Sequence, residues 1–184
     1  MRIFIAGPRA ITRLGESVED RLYGISEKNY TILVGDANGV DKAIQLFFSK
    51  LDYDNVKVYA SNGKARNNIG NWQVEQINVP SAVRGFDFYA VKDKAMTEDA
   101  DYGFMLWNGK SKGTLNNIIN LLKQDKKVLV FFTPQNGYVN IDSFEKLEDL
   151  LNYCEDEARE LYAKLKAQIV KRESINAHAQ LSLI

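Results

Sequence analysis

Five short apolar runs, each leading through a polar turn into a helical pattern or loop, constrain what this chain can fold into. Residues 3–6, 31–34, 102–107 and 128–132 are continuous runs of β-branched, aromatic and other apolar side chains, and 56–59 is a shorter run of the same type. Strands without a polar face are buried on both sides, which is how parallel sheets are built. Helical patterns lie between them. Residues 17–25 are amphipathic; 40–51 set Ala43, Ile44, Phe47, Phe48 and Leu51 on one face; 114–122 do the same with Leu115, Ile118, Ile119 and Leu122. Residues 88–100 carry a weaker helical pattern, with Tyr89, Ala95 and Met96 as its inward positions. Strand and helix alternate through short connections. The expectation is an α/β fold, a Rossmann-like parallel sheet of about five strands with helices on both faces.

Two segments break the alternation. Residues 62–73 are polar, rich in Asn and Gly and without period, and read as a long loop over the sheet edge, a candidate lid. Residues 74–83 are ambiguous between strand and extended loop. Beyond residue 132 the composition changes: 133–140 reads as a loop, then Asp142 or Ser143 caps a long helix expected over 144–171. Its stripe of Phe144, Leu147, Leu151, Cys154, Ala158, Leu161, Leu165 and Ile169 steps by threes and fours. That spacing suits either packing across the sheet end or a helix partner. The division expected is a domain over 1–140, a long amphipathic helix over 141–172 for packing or dimerisation, and a tail over 173–184.

Composition excludes several classes. The 184 residues suit one domain with an appendage. The 24 basic and 24 acidic residues cancel, which argues against nucleic acid as a main partner, although Lys64, Arg66, Lys110 and Lys112 could form a local basic rim. Cys154 is the only cysteine and His178 the only histidine, so neither a disulfide nor a Cys-based zinc site nor a Ser–His or Cys–His pair is expected. The start MRIFIAG is too short an apolar run for a signal peptide, and no stretch approaches a membrane span. The chain reads as a reduced, cytoplasmic, soluble protein with no metal and no cofactor.

Ligands of parallel sheets bind at the turns that leave the carboxyl ends of the strands, and three such turns carry unusual residues. AGPRA at 6–10 stops the first strand with Gly7 and Pro8 and sets Arg9 to meet an anion. VGDANGVDKA at 34–43 makes a tight strand-to-helix connection between Gly35 and Gly39, with Asp41 in the first helical turn. A helix N-terminus favours anions, whereas Asp36 and Asp41 suit ribose hydroxyls or a catalytic carboxylate. LWNGKSKGTLNN at 106–117 turns at Asn108–Gly109. It adds the hydroxyls of Ser111 and Thr114, lets the backbone approach at Gly113, and carries Lys110 and Lys112. It has the physics of a phosphate cradle without the GxxxxGK[ST] pattern. Trp107 reads equally as a base-stacking or a core residue, and Asp101 as a structural cap.

AGPR after the first strand, GDANGVDKA after the second and DYGFMLWNGKSKGT around the fourth together resemble the SLOG superfamily, over about residues 1–132. These are Rossmann-like domains related to the DNA-processing SMF proteins and to LOG-type phosphoribohydrolases, and the pattern is similar to their small stand-alone branch. The resemblance implies a nucleotide or nucleotide-derived ligand at these turns. LOG-type hydrolases carry GGxGTxxE, whose glutamate takes part in cleaving the N-glycosidic bond. Here Lys110–Ser111–Lys112 replaces the glycine pair, and Asn117, which cannot act as a general base, stands at the glutamate. The opening IFIAGP also resembles nucleoside 2-deoxyribosyltransferases.

Three functions follow as expectations. The first is a sensor or sequestering domain binding a nucleotide-like small molecule through Gly7, Pro8, Arg9, Gly35, Gly39, Gly109, Ser111, Gly113 and Thr114. The second is a nucleotide N-glycosidase, phosphoribohydrolase or deoxyribosyltransferase-like enzyme with Asp36 or Asp41 catalytic. The third is a protein-interaction module working through the C-terminal helix, by which homo-oligomerisation is also expected.

Overall fold

A computed structural model of the protein describes residues 1–167. Its elements run β1 (Arg2–Ala6), α1 (Glu16–Glu27), β2 (Thr31–Gly35), α2 (Val40–Lys50), β3 (Val56–Ser61), β4 (Gln73–Ile77), α3 (Gly85–Asp99), β5 (Tyr102–Trp107), α4 (Lys112–Leu122), β6 (Val128–Phe132), a 3-10 turn (Thr133–Gln135), β7 (Gly137–Ile141) and α5 (Phe144–Leu151). A last helix, α6, occupies 156–167 as far as the description goes. The sheet order is β4-β3-β2-β1-β5-β6-β7. All pairings are parallel except β6 with β7.

The alternation of side chains across each strand divides the core in two. Ile3, Ile5, Ile32, Val34, Phe104 and Leu106 face one side, where Val18, Leu22 and Ile25 of α1 and Val40, Ile44, Phe47 and Phe48 of α2 meet them. Phe4, Ala6, Leu33, Met105 and Trp107 face the other, under Met96 of α3 and Leu115, Ile118, Ile119 and Leu122 of α4. Each helix therefore buries the stripe its sequence carries, and the strands have no polar face because both faces are covered. The chain builds outward from β1 through β2, β3 and β4, then returns to the opposite side of β1 to add β5. The point of reversal lies between β1 and β5, where an open α/β sheet leaves a crevice at its carboxyl edge.

Three expectations change. The sheet has seven strands, not about five. β4, half-exposed at one edge, resolves the ambiguity of 74–83 and begins one residue earlier; β7, in what read as a loop, closes the other edge antiparallel. The long helix is broken: α5 stops at Leu151, and a turn over 152–155 precedes α6. The break folds the stripe back onto the chain's own core. Leu147, Leu151, Ala158 and Leu165 are buried there and Phe144, Cys154 and Leu161 pack against them, while Ile169 and the 173–184 tail lie outside the described residues. Among the described residues the stripe therefore packs within the chain itself. No helix among the described residues is long and apolar enough to cross a membrane.

One glycine fixes how the first two turns meet. Gly39, at the N-cap of α2, has φ 84° and ψ −132°, a conformation that glycine alone adopts readily. A Cβ there would stand 2.6 Å from the carbonyl carbon of Arg9. We expect Gly39→Ala to lower the unfolding free energy by about 2 kcal/mol, read by chemical denaturation; an unchanged midpoint would show that the two turns are not locked together.

Candidate functional site

The carboxyl edge at the point of reversal holds a cavity of about 460 Å³, lined by five segments. The β1 turn contributes Gly7, Pro8 and Arg9; the β2 turn Ala37 and Asp41; the start of α4 Ser111, Gly113, Thr114 and Asn117; and one side of α3 Phe86, Tyr89, Lys92, Asp93 and Met96. Arg66 reaches it from the loop before β4. The volume falls within the range of small-molecule sites, roughly 300–1,000 Å³.

Two close approaches bring the walls together. A Cβ on Gly7 would lie 2.7 Å from a methyl of Val40 and 2.8 Å from the carbonyl oxygen of Leu106, so β1 can end between α2 and β5 only as glycine. A Cβ on Gly35 would lie 2.8 Å from the Lys92 Nζ and collide with the Asp41 carboxylate, so the bare backbone there admits both charges to the sheet edge.

Beneath the cavity lies a buried ion cluster. Asp36, 3% exposed, accepts from the Arg66 backbone N–H (3.1 Å), Nε (2.9 Å) and Nη2 (2.7 Å) and from the Lys92 Nζ (3.1 Å). Burial alone would push the Asp36 carboxyl up; the Arg66 guanidinium and the Lys92 ammonium outweigh it and hold the group well below the usual carboxylate range. The loop that carries Arg66 is pinned at further points. Gln45, fully buried, donates to the carbonyls of Gly35 (2.9 Å) and Asn67 (3.2 Å) and accepts from Ile69 N–H (3.0 Å), and Asn67 donates to the Asp36 carbonyl (2.8 Å). This segment, read from sequence as a lid, is held down as a wall.

The other two aspartates behave in the opposite way. Burial pushes the Asp41 carboxyl up against the pull of Lys92, and Asp41 accepts from Ala37 N–H at 3.2 Å. Burial likewise raises Asp93, to about 6, against Lys92 and the Asn117 amide that donates to it. Asn117 is 3% exposed, and its Oδ1 has no partner among the described residues.

The rim is cationic and aromatic. The Arg9 guanidinium sits 4.8 Å and the Arg66 guanidinium 5.4 Å from the Tyr89 ring centroid, and the Lys112 Nζ 4.1 Å from that of Phe86. In the third turn the Asn108 side chain accepts from the N–H groups of Lys110 (3.1 Å) and Ser111 (2.9 Å), with Gly109 at φ 73°. The Ser111 hydroxyl caps α4 by accepting from Thr114 N–H and from the Thr114 hydroxyl. The N–H groups of Lys112 and Gly113, at the first positions of α4, have no acceptor within the helix. A Cβ on Gly113 would meet no protein atom within 4 Å.

Of the residues singled out from sequence, Gly7, Pro8, Arg9, Asp41, Ser111, Gly113 and Thr114 line the cavity. Gly35, Gly39 and Gly109 lie behind its wall, and Asp36 lies under it among its cations. Trp107 is fully buried in the core and donates to the Ser111 carbonyl, and Asp101 accepts from the Arg2 backbone N–H away from the site. The sequence reading missed Phe86, Lys92 and Asp93. Their signal was present in α3, where 86, 89, 93 and 96 follow a helical step. Among the described residues no group of His, Cys, Asp and Glu is placed to hold a metal ion.

No sequence-family profile matches the chain, and no curated protein is similar in sequence. Among solved structures it is similar to DNA processing protein A from Helicobacter pylori, described for its unique single-stranded DNA binding mode, with a TM-score of 0.53 and 13% identity. The match covers 71% of this chain and 64% of that one. The likeness is one of fold. It corrects one expectation: zero net charge argued against nucleic acid as a partner, yet this fold occurs in a protein that binds single-stranded DNA.

The two kinds of aspartate predict opposite pH behaviour. Asp36 is held below its ordinary 3.8, so its contribution is complete above that value and is lost as pH falls below it. Asp93 keeps its proton in the fold up to about 6, so stability drains as pH rises from about 4 to about 6. Asp36→Asn should cost about 3 kcal/mol at pH 7.5 by stranding buried Lys92. Asp93→Asn should raise the melting temperature at pH 7.5 and leave it unchanged at pH 4. Equal shifts for the latter at both pH values would refute the assignment.

Proposed function

We propose that the cavity binds a nucleotide or nucleotide-derived ligand, in a sensing or sequestering domain of the SLOG type. What carries the reading is a convergence: the start of α4, whose first N–H groups have no acceptor within the helix, shares one cavity with the Phe86 and Tyr89 rings and the cations stacked on them. The helix start, with Ser111, Thr114 and Lys112, suits a phosphate. The rings and guanidinium planes offer stacking faces for a base. The same faces would accept a base at the end of a single strand, so an oligonucleotide belongs in any ligand panel.

A second reading, hydrolysis or transfer at an N-glycosidic bond, is favoured by one observation. Asp93, with its proton lost near pH 6, lines the cavity beside Asp41, and a group that titrates there can serve as acid or base. Asp36, expected as an alternative to Asp41, has its oxygens occupied by Arg66 and Lys92.

Titration calorimetry against the nucleoside 5′-monophosphates, NAD and a short single-stranded oligonucleotide tests the first reading. Gly113→Val should weaken the tightest of them at least tenfold with the melting temperature unchanged, because the new side chain projects into open space. Binding that survives this substitution intact would remove the helix start from the site. Free base released by the wild type but not by Asp41→Asn or Asp93→Asn would establish the second reading; tight binding without release leaves the first.

A further inference from the structure

The cavity is layered. α3 and α4 both begin at the carboxyl edge, and their first turns carry Phe86, Tyr89, Ser111, Gly113 and Thr114. One turn further along each helix stand Asp93 and Asn117, joined by the hydrogen bond from the Asn117 amide to the Asp93 carboxylate. The charge of the rim is positive, from Arg9, Arg66 and Lys112. The floor is made of acceptors: Asp41, Asp93 and the Asn117 Oδ1. Lys92 is the cation at that level among the described residues, and its Nζ is committed to Asp36 at 3.1 Å.

Asn117 makes the floor specific. An ionised carboxylate only accepts, so Asp93 fixes the amide with its nitrogen inward to the carboxylate and its oxygen left over. That oxygen is buried and has no partner among the described residues. An acceptor left in that state costs on the order of 1–3 kcal/mol, which a donor on a bound molecule would recover. Asp93 alongside has oxygen lone pairs to spare. Two adjacent acceptors on neighbouring helices suit two adjacent hydroxyl donors. A ligand anchored by its phosphate at the start of α4 and by its base on the rings of α3 puts its sugar between them, over this floor.

Resting on the nucleotide reading above, we propose that Asp93 and Asn117 read the vicinal 2′,3′-diol of a ribose, making this a site for ribonucleotides over deoxyribonucleotides. Asp93 takes one hydroxyl and the Asn117 Oδ1 the other, as acidic side chains take ribose hydroxyls at other parallel-sheet crevices.

The wild-type protein tests this directly. At pH 7.5, where Asp93 is ionised, the ribo-, 2′-deoxy- and 2′,3′-dideoxynucleoside 5′-monophosphates of the tightest-binding base are compared by titration calorimetry. The expected result is at least a tenfold loss of affinity from ribo to dideoxy, the scale of a hydrogen bond to a charged or otherwise unsatisfied group. Asn117→Ala and Asp93→Ala each remove one of the two acceptors, so each should shrink the ribo-to-dideoxy affinity ratio at least threefold, and an unchanged ratio in both variants would overturn the assignment. Equal affinity of the wild type for all three sugars overturns the diol assignment and leaves the nucleotide reading standing. Absence of binding by any of them overturns both.

Discussion

The carboxylate of Asp36 is the fixed point around which the carboxyl edge is assembled. It leaves β2 just after Gly35, and it receives Arg66 from the loop before β4 and Lys92 from α3. Three segments distant in sequence are thereby tied to one buried charge. Burying an anion without partners would be prohibitive, so the arrangement is all or none. Gly35 is the precondition, because any side chain there would stand where Lys92 and Asp41 come to the strand end. With the cluster in place, the loop over 62–72 becomes a wall, α3 is oriented with Phe86 and Tyr89 at the rim, and Asp93 is carried to the floor on the residue next to Lys92.

The same cluster sets the electrostatics of the cavity above it. Lys92 is consumed by Asp36, so it neutralises Asp41 and Asp93 only in part, and both remain above the usual carboxylate range. Arg66 is shared between Asp36 and the face of Tyr89, which draws positive charge to the rim. Cations and helix starts at the opening, with acceptors beneath, form a gradient of hydrogen-bonding character as well as of charge. A molecule with an anionic end and hydroxyls a few bonds away matches both levels; a simple anion matches only the upper one.

The central strands were legible because burial on both faces leaves unbroken apolar runs, as in 31–34 and 128–132, and their helices carry clean stripes. The edges were not. β4 reads QVEQI and has no buried position, and β7 is buried only at its last residue. α3 gave a weak helical pattern for a related reason: its inner side places Lys92 and Asp93 where a core helix would place apolar residues. The turns at 6–10, 34–43 and 106–117 were found from glycines and polar residues after strands, but what they converge on was not. The pairing of Asp36 with Arg66 and Lys92 spans 30 and 56 residues, and no local pattern records it. The broken C-terminal helix shows the converse: its stripe is continuous in sequence, yet a turn at 152–155 lets both halves bury it against the same core.

Whether such a cavity holds a ligand or transforms it depends on which carboxylates are free to move a proton. Asp36 is not: four donors converge on it and its proton affinity is low. Asp41 accepts from Ala37 N–H and lies over Gly35, a geometry that keeps the β2 turn closed. Among the described residues, Asp93 alone combines a place on the wall, a pKa raised to about 6 and a second helix beside it. Yet its neighbour at 117 is an amide whose oxygen accepts and cannot take up a proton at neutral pH. A pair built from one carboxylate and one amide acceptor recognises two donors at once; a pair built to break a glycosidic bond needs an acid beside a nucleophile. Asn117 therefore sets beside the titrating Asp93 an acceptor that carries no proton of its own at neutral pH.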